Sequence, residues 1–314
     1  MTILPPLCIL AFDHRATFRD LVRDFHSGRD ADQAIAHCKR IIYEGYLEAV
    51  DGGLPVERTA LIIDEEGGSR LATDAAERGF ALGMPVEKTS QEIFAFEYDD
   101  AWREHAAAFP ATFHKGLVRW NPHQAATNDQ QIARLAELTG WLSEQGRGFL
   151  LELLVPPTDE QVARCPGGWA EWDEQVRPGL TVAAMQQLHS GGVTPDIWKI
   201  EGVSDRTACK AIGDAASSHP DRPDAFCIVL GRGADEPQIK QWLQATAGVP
   251  GYGGFALGRN LFDGPLKSWL RGEIEADSAA VQIGTAYVEF ARWYLANCAS
   301  AGPDRQTPST LEHK

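Results

Sequence analysis

The chain has 314 residues, of which 44% are hydrophobic and 23% are charged, and its formal net charge is −15. This composition is ordinary for a soluble globular protein, and the length fits either two modest domains or one large α/β barrel. The negative charge argues against a nucleic-acid partner, because proteins that bind the phosphate backbone carry a basic face. No stretch of the sequence approaches the roughly 20 uncharged apolar residues that a membrane-spanning helix needs.

The cysteines and the N-terminus predict a cytoplasmic protein. The six cysteines are scattered and include no C-x-x-C pair, which is typical of reduced thiols. The N-terminal sequence MTILPPLCILAFDHR has no basic region and carries Asp13 early, so it does not have the pattern of a signal peptide. The cysteines are Cys8, Cys38, Cys165, Cys209, Cys227 and Cys298.

Eight short apolar runs alternate with longer amphipathic segments along the chain. Near-continuous apolar runs of this kind are typical of parallel strands that helices cover. In chain order the runs are PLCILAFDH, TALIIDEE, FALGMPVE, FHKGLVRW, GFLLELLVP, PDIWKIEG, AFCIVLGRG and GGFALGRN.

The segments between these runs predict helices. Apolar residues recur with helical spacing over 30–50 and 128–146, and the segment 235–248 begins with Asp235 as a candidate cap. The segment 91–109 is also predicted to be helical. A last helix follows the eighth strand, and we expect it to pack on its own barrel.

Eight strands separated by helices, in a chain of this size, predict an α/β fold with a single (β/α)₈ TIM barrel and an extra C-terminal helix. An open, doubly wound sheet is the alternative fold. No linker rich in Pro or Ser divides the chain, so we expect one domain over residues 1–298. The polar segment 299–314 predicts a disordered tail.

Ionisable residues follow almost every predicted strand at its carboxyl end. Active sites of (β/α)₈ barrels lie at this end, whereas random surface charge would fall equally on both ends. The sequence therefore predicts an active site here. In strand order the residues are Asp13, His14 and Arg15; Asp64, Glu65 and Glu66; Glu87 and Lys88; Lys115 and Arg119; Glu152; Lys199 and Glu201; Arg232; and Arg259.

Lys199 lies inside an apolar strand, where a lysine is rarely buried without a partner. Burial and a nearby cation such as Lys115 would favour the neutral amine, which can attack a ketone and form an imine. Glu201 points to the same face, because side chains alternate along a strand. The alternative is a structural ion pair of Lys199 with Glu201 or Glu152.

Glu152 is a carboxylate inside another apolar strand. We expect burial to raise its pKa towards neutrality, which suits proton transfer. Alternatively, Glu152 only pairs with Lys115 or Lys199. Lys115 could bind a substrate oxyanion or lower the pKa of Lys199.

Two glycine-arginine turns follow the seventh and eighth strands. They contain Gly231 and Arg232 in the first turn, and Gly258 and Arg259 in the second. Barrels often bind a phosphate at this place, with backbone N–H groups, a helix N-terminus and an added cation. The two turns therefore predict a phosphate site.

A bound divalent metal ion is a second hypothesis. Asp13, His14, Asp64 and His114 could converge at the strand ends and offer ligands. They lack the close His/Cys spacing of a zinc signature. The leading hypothesis therefore uses no metal and no cofactor.

Six motifs carry a resemblance to a known family. In order they are ILAFDHR, KGLVRWNP, LLELLVPP, DIWKIEG, LGRGAD and GFALGRN, over about residues 7–295. The chain resembles the aldolase-like domain that is fused to the sugar kinase of bacterial myo-inositol catabolism. That family is similar to the class I, Schiff-base (β/α)₈ aldolases, which include tagatose 1,6-bisphosphate aldolase.

The resemblance implies cleavage of 2-deoxy-5-keto-gluconate 6-phosphate into dihydroxyacetone phosphate and malonate semialdehyde. It implies that Lys199 forms the imine, and it matches the strand motifs to Glu152 and Lys115. This chain begins at the barrel, without the kinase half, so another ketose phosphate as the substrate is an alternative. Together, motifs and resemblance give Lys199, Glu152, Lys115 and Asp13 as catalytic candidates, and His14, Arg15, Glu201, Gly231, Arg232, Gly258 and Arg259 as binding candidates.

Three functions remain open from the sequence. The leading one is a class I aldolase, a carbon–carbon lyase whose partner is a small phosphorylated keto sugar. The others are a divalent-metal aldolase or isomerase, and a catalytically silent barrel that binds a sugar phosphate. Assembly of the chain into a homo-oligomer is also an open alternative.

Overall fold

The computed structural model describes residues 5–26 and 29–298. Its eight parallel strands form a closed barrel in chain order, and β8 pairs with β1. The predicted (β/α)₈ barrel is therefore confirmed, and the open sheet is excluded. The predicted tail 299–314 lies outside the described residues. The strands are β1 (Leu7–Ala11), β2 (Thr59–Ile62), β3 (Leu82–Pro85), β4 (Phe113–Arg119), β5 (Gly148–Leu154), β6 (Ile197–Glu201), β7 (Phe226–Leu230) and β8 (Tyr252–Leu257).

Helices cover the outside of the barrel. None of those in residues 5–26 and 29–298 has both the length and the apolar character needed to cross a membrane. The predicted cap of α10 is confirmed, because the Asp235 side chain accepts a hydrogen bond from the Gln238 N–H at 3.0 Å. The helices are α1 (Arg15–Arg23), α2 (Arg29–Asp51), α3 (Ser69–Glu77), α4 (Trp102–Ala108), α5 (Ala125–Glu144), α6 (Asp159–Ala163), α7 (Gly168–Glu171), α8 (Arg177–Ser190), α9 (Arg206–Ala216), α10 (Glu236–Thr246), α11 (Arg259–Leu270) and α12 (Ala276–Asn297).

Apolar side chains fill the lower part of the barrel interior. Because side chains alternate along a strand, every second residue points inward, and these residues form one buried cluster separate from the layers under the helices. This packed floor leaves only the carboxyl ends of the strands open to ligands. The cluster comprises Leu7, Ile9, Ala11, Ala60, Ile62, Ala81, Phe113, Leu150, Ile197, Phe226, Ile228 and Ala256.

The segment after β3 differs from the prediction. Only Trp102–Ala108, preceded by a 3₁₀ turn, is helical in the predicted helix 91–109. Residues 87–97 instead fold back on themselves, with an antiparallel bridge between Glu87 and Phe96. Phe94 and Phe96 are both buried, so this stretch has the two-residue period of extended chain rather than a helical period. We call residues 87–97 the β3–α4 flap.

The C-terminal helix α12 packs on the barrel, as predicted, and closely contacts α2. A Cβ atom on Gly284 would lie 2.5 Å from the carbonyl oxygen of Gly45, so the two glycines allow the helix backbones to touch. The Tyr287 hydroxyl donates a hydrogen bond to the Cys8 carbonyl at 2.7 Å. α12 therefore fixes α2 and β1 together.

We expect Gly284→Ala to destabilise the fold by about 1–3 kcal/mol, because the added methyl group must push α12 away from α2. Urea unfolding measures this change. Gly140→Ala, at an open and exposed position of α5, is the matched control and should stabilise by about 0.5–1 kcal/mol. Equal effects of the two substitutions would contradict the close helix contact.

Candidate active site

A charged layer lies directly above the apolar floor of the barrel. It contains Asp13, Lys115, Glu152 and Lys199, all with at most 8% of their surface exposed. Each follows an inward-pointing apolar residue by two positions, so the alternation of the strand turns all four towards the barrel axis. The inward-pointing residues are Ala11, Phe113, Leu150 and Ile197.

Lys199 and Glu152 form a buried ion pair. They are opposite each other in the β5–β6 register, and the Lys199 Nζ donates a hydrogen bond to Glu152 Oε2 at 2.9 Å. Glu201, the other partner considered for Lys199, instead accepts a hydrogen bond from the Val155 N–H. The structural pair that the sequence left open is therefore present, next to a cavity.

Lys115 contacts three carboxylates. Its Nζ lies 2.7 Å from Glu87, 2.9 Å from Asp13 and 3.2 Å from Glu152. Burial alone would lower the pKa of Lys115, but the three negative charges raise it well above its usual value. Lys115 is thus held as a cation.

The prediction of a raised pKa for Glu152 is wrong. Burial pushes the pKa upward, but the ammonium groups of Lys199 and Lys115 outweigh burial and lower it to about 2. Burial likewise opposes ionisation of Asp13, and Lys115 holds its pKa below the usual range. Both groups are carboxylates at neutral pH, and each can accept a proton.

His14 and Arg15 border this layer after β1. Burial lowers the pKa of His14 to about 4, and the cations Lys199 and Lys115 oppose its protonation as well. Arg15 donates to Glu97 at 2.5 Å and to the Glu87 carbonyl at 2.6 Å. Arg15 therefore ties the end of β1 to the flap.

A cavity of about 200 Å³ opens on the charged layer. Its wall includes six of the residues predicted for the site, together with Glu87, Arg119 and the first part of the flap. The sequence had placed Glu87 and Arg119 at strand ends without a role, and no local pattern pointed to the flap. The six predicted residues are Asp13, His14, Arg15, Lys115, Glu152 and Lys199.

The other predicted binding residues do not line this cavity. Arg232 forms ion pairs with Asp173 at 2.8 Å and Glu201 at 3.3 Å, and its guanidinium lies over the Trp169 ring. Two carboxylates thus neutralise Arg232, and burial raises the pKa of Glu201. Gly231 precedes Arg232 and is buried against Leu257 and Asn260.

Gly258 and Arg259 lie beside the β1 end. A Cβ atom on Gly258 would meet the Ala11 carbonyl at 2.3 Å and the His14 ring at 2.9 Å, so only glycine fits there. Arg259 begins α11 and is exposed. Its guanidinium lies next to Gly233, where a Cβ atom would be 3.4 Å from Nη2. The two glycine-arginine turns are therefore adjacent.

The residues considered for a metal site do not converge. His114 points away from the barrel axis, because it alternates with Lys115, and it hydrogen-bonds the Ala106 carbonyl at 3.0 Å. Asp64 is paired with the fully buried Lys39. Among the residues that the structure describes, no three His, Cys, Asp or Glu side chains are grouped to hold a metal ion.

A larger groove lies outside the barrel, between α5 and α8. Its volume is about 440 Å³, and Asp129 is the one ionisable residue on its wall within the described chain. The charged side chains that can perform chemistry are concentrated in the smaller interior cavity. We therefore treat the interior cavity as the candidate active site.

The comparison with protein families covers nearly the whole chain. Residues 2–297 match the model of DUF2090, which is described as an uncharacterized protein conserved in bacteria. The chain belongs to this family. No curated protein matches the chain. In this member of the DUF2090 family, the matched region contains every strand and the whole charged layer.

We expect Lys115→Met to destabilise the protein by about 3–5 kcal/mol, because it leaves buried carboxylates without their cation. Chemical unfolding measures the change. Lys88→Met removes a lysine at the cavity rim whose partner Asp99 is exposed, and it should cost less than about 1 kcal/mol. A loss as small as that of Lys88→Met would show that Lys115 does not hold the charged layer together.

The lowered pKa of Glu152 predicts a pH-dependent stability. A folded pKa of about 2, below the ordinary value of 4.5, means that ionised Glu152 stabilises the fold above pH 4.5 and that this contribution is lost as the pH falls towards 2. The difference in unfolding free energy between the parent and Glu152→Gln should therefore be largest above pH 4.5, at most about 3 kcal/mol, and should shrink below it. Exposed Glu144→Gln provides the baseline, and a pH-independent difference for Glu152→Gln would contradict the assignment.

Proposed function

We propose that the protein is a class I, Schiff-base aldolase that cleaves a phosphorylated keto sugar or keto sugar acid. The observation that carries the proposal is the unequal environment of the two buried lysines. Lys115 contacts three carboxylates, whereas Lys199 has one carboxylate within 4 Å among the described residues, Glu152. One lysine is held as a cation by three carboxylates, and the other donates a hydrogen bond to a single carboxylate beside an open cavity.

Imine formation uses the Lys199–Glu152 pair. Glu152 takes a proton from the Lys199 ammonium, and the neutral amine adds to the ketone carbon of the substrate. The resulting carbinolamine hydroxyl receives the proton from Glu152 and leaves as water, so a protonated imine remains. The 2.9 Å hydrogen bond supplies the path for the first of these transfers, from Lys199 to Glu152.

Cleavage follows from the imine, which accepts an electron pair. Glu152, ionised again, removes the proton of the hydroxyl on the carbon β to the imine carbon. The bond between the α and β carbons breaks, its electrons form an enamine with Lys199, and an aldehyde departs. Protonation of the enamine and addition of water then release the ketone product. Lys115 stabilises the negative charge that develops on oxygen.

The substrate is assigned from cavity size and from the family resemblance. A volume of about 200 Å³ is below that of pockets for drug-sized ligands, roughly 300–1,000 Å³, and favours a small metabolite. The motif resemblance favours 2-deoxy-5-keto-gluconate 6-phosphate, with dihydroxyacetone phosphate and malonate semialdehyde as products. The phosphate would bind at the adjacent turns with Gly258 and Arg259.

Borohydride reduction tests the proposal. With dihydroxyacetone phosphate and borohydride, mass spectrometry should find the reduced adduct on Lys199, and activity should be lost with it. Lys199→Met should form no adduct, whereas Lys210→Met, a variant of an exposed lysine on α9, should react as the parent does. An adduct on a different lysine, or cleavage activity in Lys199→Met, would overturn the assignment. Ligand binding without any adduct would favour the silent barrel.

A further inference from the structure

Arg119 ends β4 and lies on the wall of the candidate active-site cavity. It is four residues beyond Lys115 on the same strand, and the alternation of side chains turns both towards the barrel interior. Arg119 is half-buried, and its Nη1 donates to the Gln91 carbonyl of the flap at 2.5 Å. The guanidinium is thus fixed at the mouth of the cavity.

The other cations of the cavity wall are already neutralised by carboxylates. Lys199 pairs with Glu152, Lys115 with three carboxylates, Arg15 with Glu97, and Lys88 with Asp99. Within the described residues, Arg119 has no carboxylate within 4 Å. Its one side-chain bond there, to a neutral carbonyl, leaves the Nε and Nη2 donors for a ligand.

The strand registers place Arg119 nearer the mouth of the barrel than Lys199. Leu117 of β4 is level with Glu152, and Glu152 is level with Lys199. Arg119 lies two residues further along β4, which is about 7 Å at the rise of a strand. A ligand group on Arg119 would therefore be separated from an imine carbon on Lys199 by a short carbon chain.

Arg119 also lies across the barrel from the predicted phosphate turn. β4 and β8 are half-way round the closed ring of eight strands from each other, and Arg259 follows β8. Arg119 lies on the cavity wall and Arg259 lies in the turn after β8, outside that wall, and neither has a carboxylate within 4 Å among the described residues. The two arginines fit a substrate with an anionic group at each end.

We propose that Arg119 binds a terminal oxyanion group, carboxylate or phosphate, on the substrate fragment that leaves as the aldehyde. This rests on the proposed aldolase function for the identity of that fragment. The planar guanidinium fork matches two oxygens of a carboxylate or phosphate. The site would select substrates that carry a second anionic group, at the end opposite to the phosphate on the ketone fragment.

Malonate and inorganic phosphate are the two probes, titrated separately by calorimetry into the full-length protein. Malonate represents a carboxylate end, and phosphate represents a phosphate end. Arg119→Gln should weaken binding of at least one probe tenfold or more, roughly the loss expected for a charge-assisted hydrogen bond. If Arg119→Gln weakens the binding of malonate alone, the group that Arg119 binds is a carboxylate. If it weakens the binding of phosphate alone, that group is a phosphate.

Three variants complete the experiment. Arg119→Lys keeps the charge but not the fork and should bind with an intermediate Kd, so it tests the site even if Arg119→Gln does not fold. Arg103→Gln, which neutralises a partly exposed arginine on α4, should bind both probes as the parent does. Unchanged binding in both Arg119 variants, or a loss with Arg259→Gln only, overturns the site.

This titration is independent of the borohydride experiment. The titration tests whether probe binding depends on the guanidinium of Arg119, whereas the borohydride experiment tests whether the amine of Lys199 forms a covalent adduct. An adduct on Lys199 with unchanged probe binding would refute the oxyanion site alone. Binding that depends on Arg119 without an adduct would refute the aldolase and leave the oxyanion site.

Discussion

The structure depends on the balance of charge inside the barrel. Lys115, buried to 95%, holds Asp13, Glu87 and Glu152 within 3.2 Å of one nitrogen atom, and unpaired ions are costly at such depth. Lys199 supplies the second cation. These five charges come from the carboxyl ends of five different strands, so the register of the barrel also determines the geometry of the site.

The same balance makes the two lysines different. Lys115 is surrounded by three carboxylates, which hold it as a cation on the cavity wall. Lys199 has one carboxylate within 4 Å among the described residues, Glu152, which takes its proton in the proposed mechanism. Apolar side chains fill the barrel interior below the two lysines, and electrostatic interactions are stronger in such a low-dielectric environment. The distribution of carboxylates, rather than the lysines themselves, therefore makes the two environments different, and the proposed function assigns the chemistry to Lys199.

Much of this could be predicted from the sequence, because the strands are local patterns. The eight apolar runs predicted the barrel, and the ionisable residues that follow them predicted the end of the barrel at which the cavity opens. The pKa of Glu152 could not be predicted from its own strand, because its direction depends on Lys115 and Lys199 from neighbouring strands. The flap was missed for a similar reason: the Phe96 ring stacks on Trp102 and contacts the Phe94 ring edge-on, and a helical assignment of 91–109 ignored these contacts.

The closure of the barrel has a consequence for how the chain is made. β1 obtains its second neighbour only from β8, and α12, near the C-terminus, packs on α2 near the N-terminus. During synthesis, β1 therefore has one unpaired edge until β8 has been made. Such sequence-distant pairing is slow and exposes intermediates to aggregation.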